Sequence, residues 1–105
     1  RFDFRENNIY EVSINLNPSS RGKGYGKKIL KSSLQFFLKM NPNVNKLFAM
    51  FKKINIASKK TFLDNQFILN KTPDKKLIGL ENFDNHSEEY CELLFDKNLT
   101  INRKL

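Results

Sequence analysis

The residues with the clearest chemical potential form a glycine-rich run in the first quarter of the chain. It extends from Arg21 to Gly26, has the sequence RGKGYG, and lies between a predicted strand and a predicted helix. The first turn of a helix has backbone N–H groups without intrahelical partners, and the helix dipole places partial positive charge there. Glycine leaves room for a phosphate to approach these groups, and lysine and arginine side chains add positive charge. The run therefore predicts an anion-binding site.

Two common phosphate-binding motifs are excluded by their spacing. A P-loop needs four residues between a glycine and Gly-Lys-Ser/Thr, and the chain has no such segment. The dinucleotide-binding pattern Gly-x-Gly-x-x-Gly also fails, because Gly22, Gly24 and Gly26 alternate without the double gap. A run of this kind alone is also typical of an exposed turn with scattered lysines. The elements on either side must decide between the two interpretations.

The residues before the run predict two strands joined by a hairpin. Apolar and polar side chains alternate from residue 9 to residue 16, with Val12, Ile14 and Leu16 on one side. Strict alternation over this length is typical of a half-buried strand. Residues 1–5 alternate in the same way, and the polar residues between the two runs predict a turn.

The residues after the run predict an amphipathic helix that begins at Tyr25 or Gly26 and ends near Met40. Apolar residues such as Leu30 and Leu34 recur here at spacings of three and four, while lysines occupy other faces. One side of this helix is therefore expected to pack on a core.

Three shorter elements are predicted farther along the chain. They are a buried strand at 47–51, a short helix at 55–65 and a strand at 67–69. Asn55 or Ser58 can cap the short helix. Residues 90–95 predict either an edge strand or a helical turn. A helix that joins two strands implies a parallel or mixed sheet, so the fold class is α/β or α+β.

Composition restricts the class of partner. The chain has 105 residues, enough for one domain. Its net charge of +8 favours an anionic partner, which could be a nucleic acid, an anionic membrane surface or a phosphate-bearing small molecule. Its apolar runs are far shorter than the ~20 residues of a membrane-spanning helix. The single Cys91 cannot form an internal disulfide, which favours the cytoplasm. The single His86 has no cysteine or histidine neighbours, so no metal site is predicted.

The run and its neighbours together match a known signature. The pattern Arg-x-x-Gly-x-Gly, between a strand that ends Ile-x-Leu-x-Pro and an amphipathic helix, resembles the coenzyme A-binding signature of the GNAT superfamily of acyl-CoA N-acyltransferases. The matching positions are Ile14, Leu16, Pro18, Arg21, Gly24 and Gly26. A second set follows the next predicted strand, at Asn55, Ser58, Phe62 and Phe67. The resemblance covers residues 9–69.

The resemblance implies a particular fold and extent. It implies a mixed, mostly antiparallel sheet with a strand–helix–strand crossover. Members of the superfamily have further strands and helices before the position of Ile9, so residues 1–105 are expected to be a single GNAT-like domain that is truncated at its N-terminus. This piece resembles the C-terminal, CoA-binding half of such an enzyme.

The resemblance also implies how acetyl-CoA is held. The strand that precedes the run would pair through its backbone with the pantetheine arm, and the Leu16 N–H would polarise the thioester carbonyl as an oxyanion contact. The amides of residues 22–26 would hold the pyrophosphate, and Asn55 would contact pantetheine or phosphate. The implied cofactor-binding residues are Ile14, Leu16, Arg21, Gly22, Lys23, Gly24, Tyr25, Gly26, Lys27, Asn55, Ser58 and Phe62.

Acid–base catalysis is only partly accounted for. An ammonium must lose a proton before it can attack, and Glu11, on the strand that leads to the site, is the candidate general base. A glutamate at such a position is more often simply a solvated strand residue. Phe62 stands where the superfamily often has a tyrosine that protonates the leaving thiolate, so the general-acid role is empty.

The function that the resemblance implies is N-acetyl transfer from acetyl-CoA to a primary amine, by direct attack in a ternary complex. Residues 1–3 and 11–14 resemble the subset that acetylates amino sugars, with ribosomal-protein and small-amine acceptors left open. Two alternatives remain, a basic nucleic-acid-binding module and a CoA-binding interaction domain without activity. Nucleic acid is disfavoured because most phenylalanines fall at core-periodic positions. A homodimer is also left open.

Overall fold

The computed structural model describes residues 1–15, 24–74 and 80–95. In these ranges the chain forms five strands and two α-helices. In chain order they are β1 (Phe2–Phe4), β2 (Ile9–Val12), α1 (Tyr25–Met40), β3 (Lys46–Lys52), α2 (Ile56–Leu63), β4 (Ile68–Leu69) and β5 (Glu88–Leu94). A short 3-10 turn at Leu80–Asn82 precedes β5.

The strands form a single mixed sheet in the order β1-β2-β3-β5-β4. β2 and β3 are parallel, and every other neighbouring pair is antiparallel. Helix α1 makes the crossover between the two parallel strands, as a parallel connection requires. The sheet therefore confirms the predicted α+β class and its strand–helix–strand crossover.

The predicted hairpin between β1 and β2 is confirmed. Asn7 and Asn8 both have positive φ angles, of 55° and 58°. The Ile9 N–H donates to the Glu6 carbonyl oxygen over 3.0 Å, which closes a type I′ turn. Asparagine tolerates this left-handed conformation better than most residues, and the turn's twist matches that of the two strands.

Two predicted elements differ from the structure. β2 ends at Val12 and not at Leu16, because its pairing with β3 ends at Glu11 and its pairing with β1 ends at Val12, opposite Phe2. The Ser13 N–H adds one more bond in the same register, to the Arg1 carbonyl oxygen. β5 is neither an edge strand nor a helical turn, since it pairs with β3 on one side and β4 on the other. Its place in the sheet comes from seven residue pairs with β3, a contact between distant parts of the chain.

The sheet has a packed layer on each face. Leu30, Leu34 and Leu38 of α1 and Phe62 of α2 are buried against one face. A smaller cluster on the other face holds Phe48, Leu80, Phe83 and Tyr90. At about 1.5–3 kcal/mol for each large apolar side chain, this burial is the main stabilising contribution.

The outer side of α1 remains apolar. Tyr25, Ile29, Phe36 and Met40 lie there at helical spacing, and each is about half exposed or more. Neither α1 nor α2 is long and apolar enough to cross a membrane.

Candidate cofactor site

The parallel strands part in the middle of the sheet. Their last pair is Glu11 with Phe48, and β2 ends one residue later, at Val12. β3 continues to Lys52. In the described part of the chain, the second half of β3 therefore has no neighbouring strand on the side of β2, because residues 13–15 do not pair with it. Unpaired backbone N–H and C=O groups along such a gap can pair with an extended ligand.

Helix α1 begins at the same edge of the sheet, because a crossover helix starts where the first parallel strand ends. Its N-cap, Gly24, has φ 75° and ψ 2°, in the left-handed region that favours glycine. A Cβ at Gly24 would have no atom of the described residues within 4 Å, so those residues leave this side of the turn open. The first turn has no acidic residue and includes Lys27 and Lys28. An open, positive helix start of this kind can bind an anion.

Helix α2 begins just after β3 and is capped by Asn55. The Asn55 side-chain oxygen accepts a hydrogen bond of 3.1 Å from the Ser58 N–H. The predicted cap is therefore confirmed, and Asn55 is the cap residue. The cap uses the oxygen of the Asn55 amide, while its Nδ2 group is a hydrogen-bond donor. The predicted contacts of Asn55 and Ser58 with a cofactor stay predictions.

Phe62 lies in the core. Its side chain is 2% exposed. The ring stacks on Phe51 with a centroid separation of 6.0 Å and meets Phe67 edge to face at 5.0 Å. It thus ties α2 to β3. Its role toward a cofactor stays a prediction, and the contacts that the structure gives the ring are with the core.

Sequence reasoning missed one buried side chain near the site. Asn65 is 5% exposed, and its Nδ2 donates to the carbonyl oxygens of Lys27, at 3.2 Å, and Thr61, at 2.9 Å. It therefore fastens the end of α2 to the first turn of α1. Gln66 has a φ of 73°, which makes it the left-handed residue of the turn after α2. A single asparagine in a polar stretch gives no sequence signal for such a contact.

Glu11, the candidate base, lies on the last paired rung before the strands part. Its carboxylate forms an ion pair with the Arg5 guanidinium, and its side chain is 17% exposed. Because Val12 faces the helices, Glu11 faces the opposite side of the sheet. In the described residues the buried Arg5 Nε has no hydrogen-bond partner. One Glu11 oxygen is thus already engaged by a cation.

The remaining predicted residues divide into two groups. Leu16, Arg21, Gly22 and Lys23 lie outside the described residues. Ile14 packs against the core, and Tyr25 is 49% exposed on α1. Gly26 is buried and lies in the first turn of α1. Within residues 1–15, 24–74 and 80–95, no three His, Cys, Asp or Glu side chains are grouped so that they could hold a metal ion.

The arrangement of strands and helices is similar to that of solved acetyltransferases. An acetyltransferase of the GNAT family from Bacillus anthracis matches with a TM-score of 0.66 and 21% sequence identity. The match covers 89% of this chain and 55% of that one. The chain has a GNAT fold.

Other solved structures with the GNAT fold agree. A variant of the spermidine N-acetyltransferase of Vibrio cholerae matches with a TM-score of 0.64, 16% identity and coverage of 90% and 54%. A dodecameric structure of a spermidine N-acetyltransferase from the same organism matches with a TM-score of 0.61, 14% identity and the same coverage. The chain thus spans about half the length of these structures. No family model and no curated protein matches it.

Proposed function

We propose that this chain carries the acetyl-CoA site of an N-acetyltransferase that transfers an acetyl group to a primary amine. The observation that carries the proposal is the gap between β2 and β3 beside the open, positive start of α1. The gap suits an extended pantetheine arm, which offers amide groups to a strand edge. The helix start suits a pyrophosphate.

Each wall of the site has a role in this proposal. The backbone of residues 14–17 pairs with pantetheine, with Ile14 on the core side and the Leu16 N–H aimed at the thioester oxygen. The amides of residues 22–26 and the side chains of Arg21, Lys23 and Lys27 bind the pyrophosphate. Tyr25, Asn55, Ser58 and Phe62 complete the proposed set.

Acetyl-CoA supplies a thioester whose carbonyl carbon accepts a nucleophile. The chain's own part is to hold this group and an amine together, and to stabilise negative charge on the thioester oxygen. Glu11 takes the proton that the ammonium must lose, directly or through water. Phe62 has no proton to give, so the leaving thiolate receives none from this position.

The proposal includes the extent and setting of the protein. Residues 1–105 form one domain that corresponds to the C-terminal, CoA-binding part of a GNAT enzyme. The acceptor is an amino sugar, and the protein acts in the cytoplasm, alone or as a homodimer.

Calorimetric titration of CoA tests the proposal. The matched variants are Gly24→Asn and Gly24→Asp, because asparagine and aspartate both tolerate a left-handed φ and differ by one charge. We expect CoA to bind the unaltered chain with micromolar affinity and Gly24→Asn with a modestly lower affinity. The affinity of Gly24→Asp should be at least about tenfold lower than that of Gly24→Asn, since the carboxylate repels the pyrophosphate. Absence of CoA binding, or tighter binding of single-stranded RNA than of CoA, overturns the proposal.

A further inference from the structure

A second concave site lies on the other side of β3 from the gap. It is a cavity of about 310 Å³ between the start of β5, the end of β4 and the residues that lead into β5. Lys52 at the end of β3 pairs with Glu88 at the start of β5, so the cavity and the gap both lie at the C-terminal end of β3. β3 and β5 lie between the gap and the cavity, a width of about 10 Å.

The acidic side of the cavity is held in place by hydrogen bonds and an ion pair. One oxygen of Glu88 accepts the Asp84 N–H at 3.1 Å, and one oxygen of Glu89 lies 3.4 Å from the Lys59 ammonium. These contacts engage one oxygen of each carboxylate. Each carboxylate has a second oxygen with which it can accept a hydrogen bond from an ammonium group.

The basic side of the cavity is formed by two lysines. Lys53 and Lys71 both line it and both are exposed. The backbone of Lys53 is held in place, because its N–H donates to the Ser87 carbonyl oxygen at 2.8 Å. Among the ion pairs of the described residues, neither ammonium has a carboxylate within 4.0 Å. Two such ammonium groups on one wall favour an anionic ligand group.

The floor between the two sides is apolar and rigid. Phe83 and Tyr90 form it, the Tyr90 ring stacks on Phe48 with centroids 5.5 Å apart, and Leu69 lines the cavity from the end of β4. Asn70 Nδ2 donates to Glu92 at 3.0 Å, which holds the end of β4 against β5. An apolar floor with a few convergent polar groups is typical of a small-molecule site.

We propose that this cavity binds the amine acceptor, and that the acceptor carries a phosphate or carboxylate as well as its amine. Lys53 and Lys71 bind the anionic group, Glu88, which shares a face of β5 with Tyr90, receives the amine end, and the carbon skeleton rests on the floor. The amine then lies at the same end of the strands as the gap, with β3 and β5 between the two. This inference rests on the proposed acetyl transfer for its biological meaning, but binding in the cavity is measurable without it.

The test is calorimetry on the unaltered chain with three related probes, glucosamine 6-phosphate, glucosamine and glucose 6-phosphate. A fourth probe, muramic acid, is an amino sugar with a carboxylate, and its comparison with glucosamine 6-phosphate shows whether the cavity prefers a carboxylate or a phosphate. We expect glucosamine 6-phosphate or muramic acid to bind at least tenfold more tightly than glucosamine, and glucosamine 6-phosphate at least tenfold more tightly than glucose 6-phosphate. Amide NMR shifts should move at residues 53, 71 and 85–90.

Charge-removing variants assign the anion contact. Lys53→Gln and Lys71→Gln should each lower the affinity for the more tightly bound of glucosamine 6-phosphate and muramic acid by at least fivefold. Each should leave the affinity for glucosamine unchanged. Lys39→Gln, in the last turn of α1 and at the opposite edge of the sheet, removes the same charge and should leave all affinities within twofold. Equal binding of glucosamine and the anionic amino sugars, or lysine variants that bind like the unaltered chain, overturns the proposal.

Failure of this proposal is distinguishable from failure of the proposed function. If CoA binds but no amino sugar binds in the cavity, only the acceptor site is wrong. If an anionic amino sugar binds and CoA does not, the cavity is a ligand site and acetyl transfer is not its purpose.

Discussion

The Asn65 side chain donates a hydrogen bond of 3.2 Å to the carbonyl oxygen of Lys27, a residue 38 positions earlier in the chain. The bond joins the end of α2 to the first turn of α1, where the proposed pyrophosphate site begins. The orientation of that turn therefore depends on a buried amide outside the glycine-rich run.

Replacement of Asn65 with alanine should lower both stability and cofactor affinity. The variant loses two hydrogen bonds to carbonyl oxygens in a buried position, which costs about 1–3 kcal/mol. The melting temperature should fall by several degrees, and the CoA affinity should fall because the first turn of α1 is less firmly held. Asn43→Ala, at an exposed asparagine, is the matched control. An Asn65→Ala chain as stable as this control contradicts the prediction.

Replacement of Asn55 separates its two roles. Asn55→Ala should cost about 1 kcal/mol through loss of the cap on α2. Asn55→Asp keeps a cap oxygen but replaces the Nδ2 donor with negative charge. If Asn55 contacts the cofactor, Asn55→Asp retains the unaltered melting temperature and loses CoA affinity at least fivefold. Unchanged CoA affinity in that variant would mean that Asn55 is only a cap.

A tyrosine at position 62 should destabilise the chain. The Phe62 ring is packed between Phe51 and Phe67, so a phenolic hydroxyl added there is buried, and a buried hydroxyl without a partner costs about 1–3 kcal/mol. Urea unfolding of Phe62→Tyr measures this cost, with Phe62→Leu as the control that stays apolar. A Phe62→Tyr chain of unchanged stability would show that the hydroxyl finds a partner or solvent, and would reopen this position as a proton donor.

Stability should fall as the pH rises above about 9, in part because of Cys91. Burial raises the pKa of the Cys91 thiol from 9.0 to about 12. Between these values the unfolded chain loses the proton and the folded chain keeps it, so the stabilisation is complete below pH 9 and is lost toward pH 12. The slope from this group is up to about 1.4 kcal/mol per pH unit.

Comparison with Cys91→Ala isolates the thiol contribution. The comparison is needed because burial, and then the neighbouring Glu92 carboxylate, also raises the pKa of the Tyr90 hydroxyl. Urea unfolding at pH 8 and pH 10 should give a smaller loss of stability for Cys91→Ala than for the unaltered chain. Equal losses in the two chains contradict the assignment.

Much of the fold is predictable from local patterns. α1 follows from the recurrence of its leucines, and the β1–β2 hairpin follows from alternation around two asparagines that tolerate positive φ. Each of these signals lies within about twenty residues of sequence. They agree with the structure because each element's own residues determine both its conformation and its buried face.

Features that depend on distant residues were not predictable. β5 lies inside the sheet because of its pairing with β3, some forty residues earlier, and its own sequence does not alternate cleanly. The early end of β2 depends on where its pairing with two other strands stops, at Val12 for β1 and at Glu11 for β3. The ion pair of Glu11 with Arg5 arises because a hairpin brings the two side chains to one face.

The early end of β2 gives β3 two different environments along its length. Its first half lies between two strands, and its second half has β5 on one side and the gap on the other. Amide hydrogens that point into the gap exchange with deuterium at the rate of local fluctuations, whereas those directed at β5 wait for larger openings. Isotope exchange followed along this one strand therefore reports, residue by residue, whether the gap is filled.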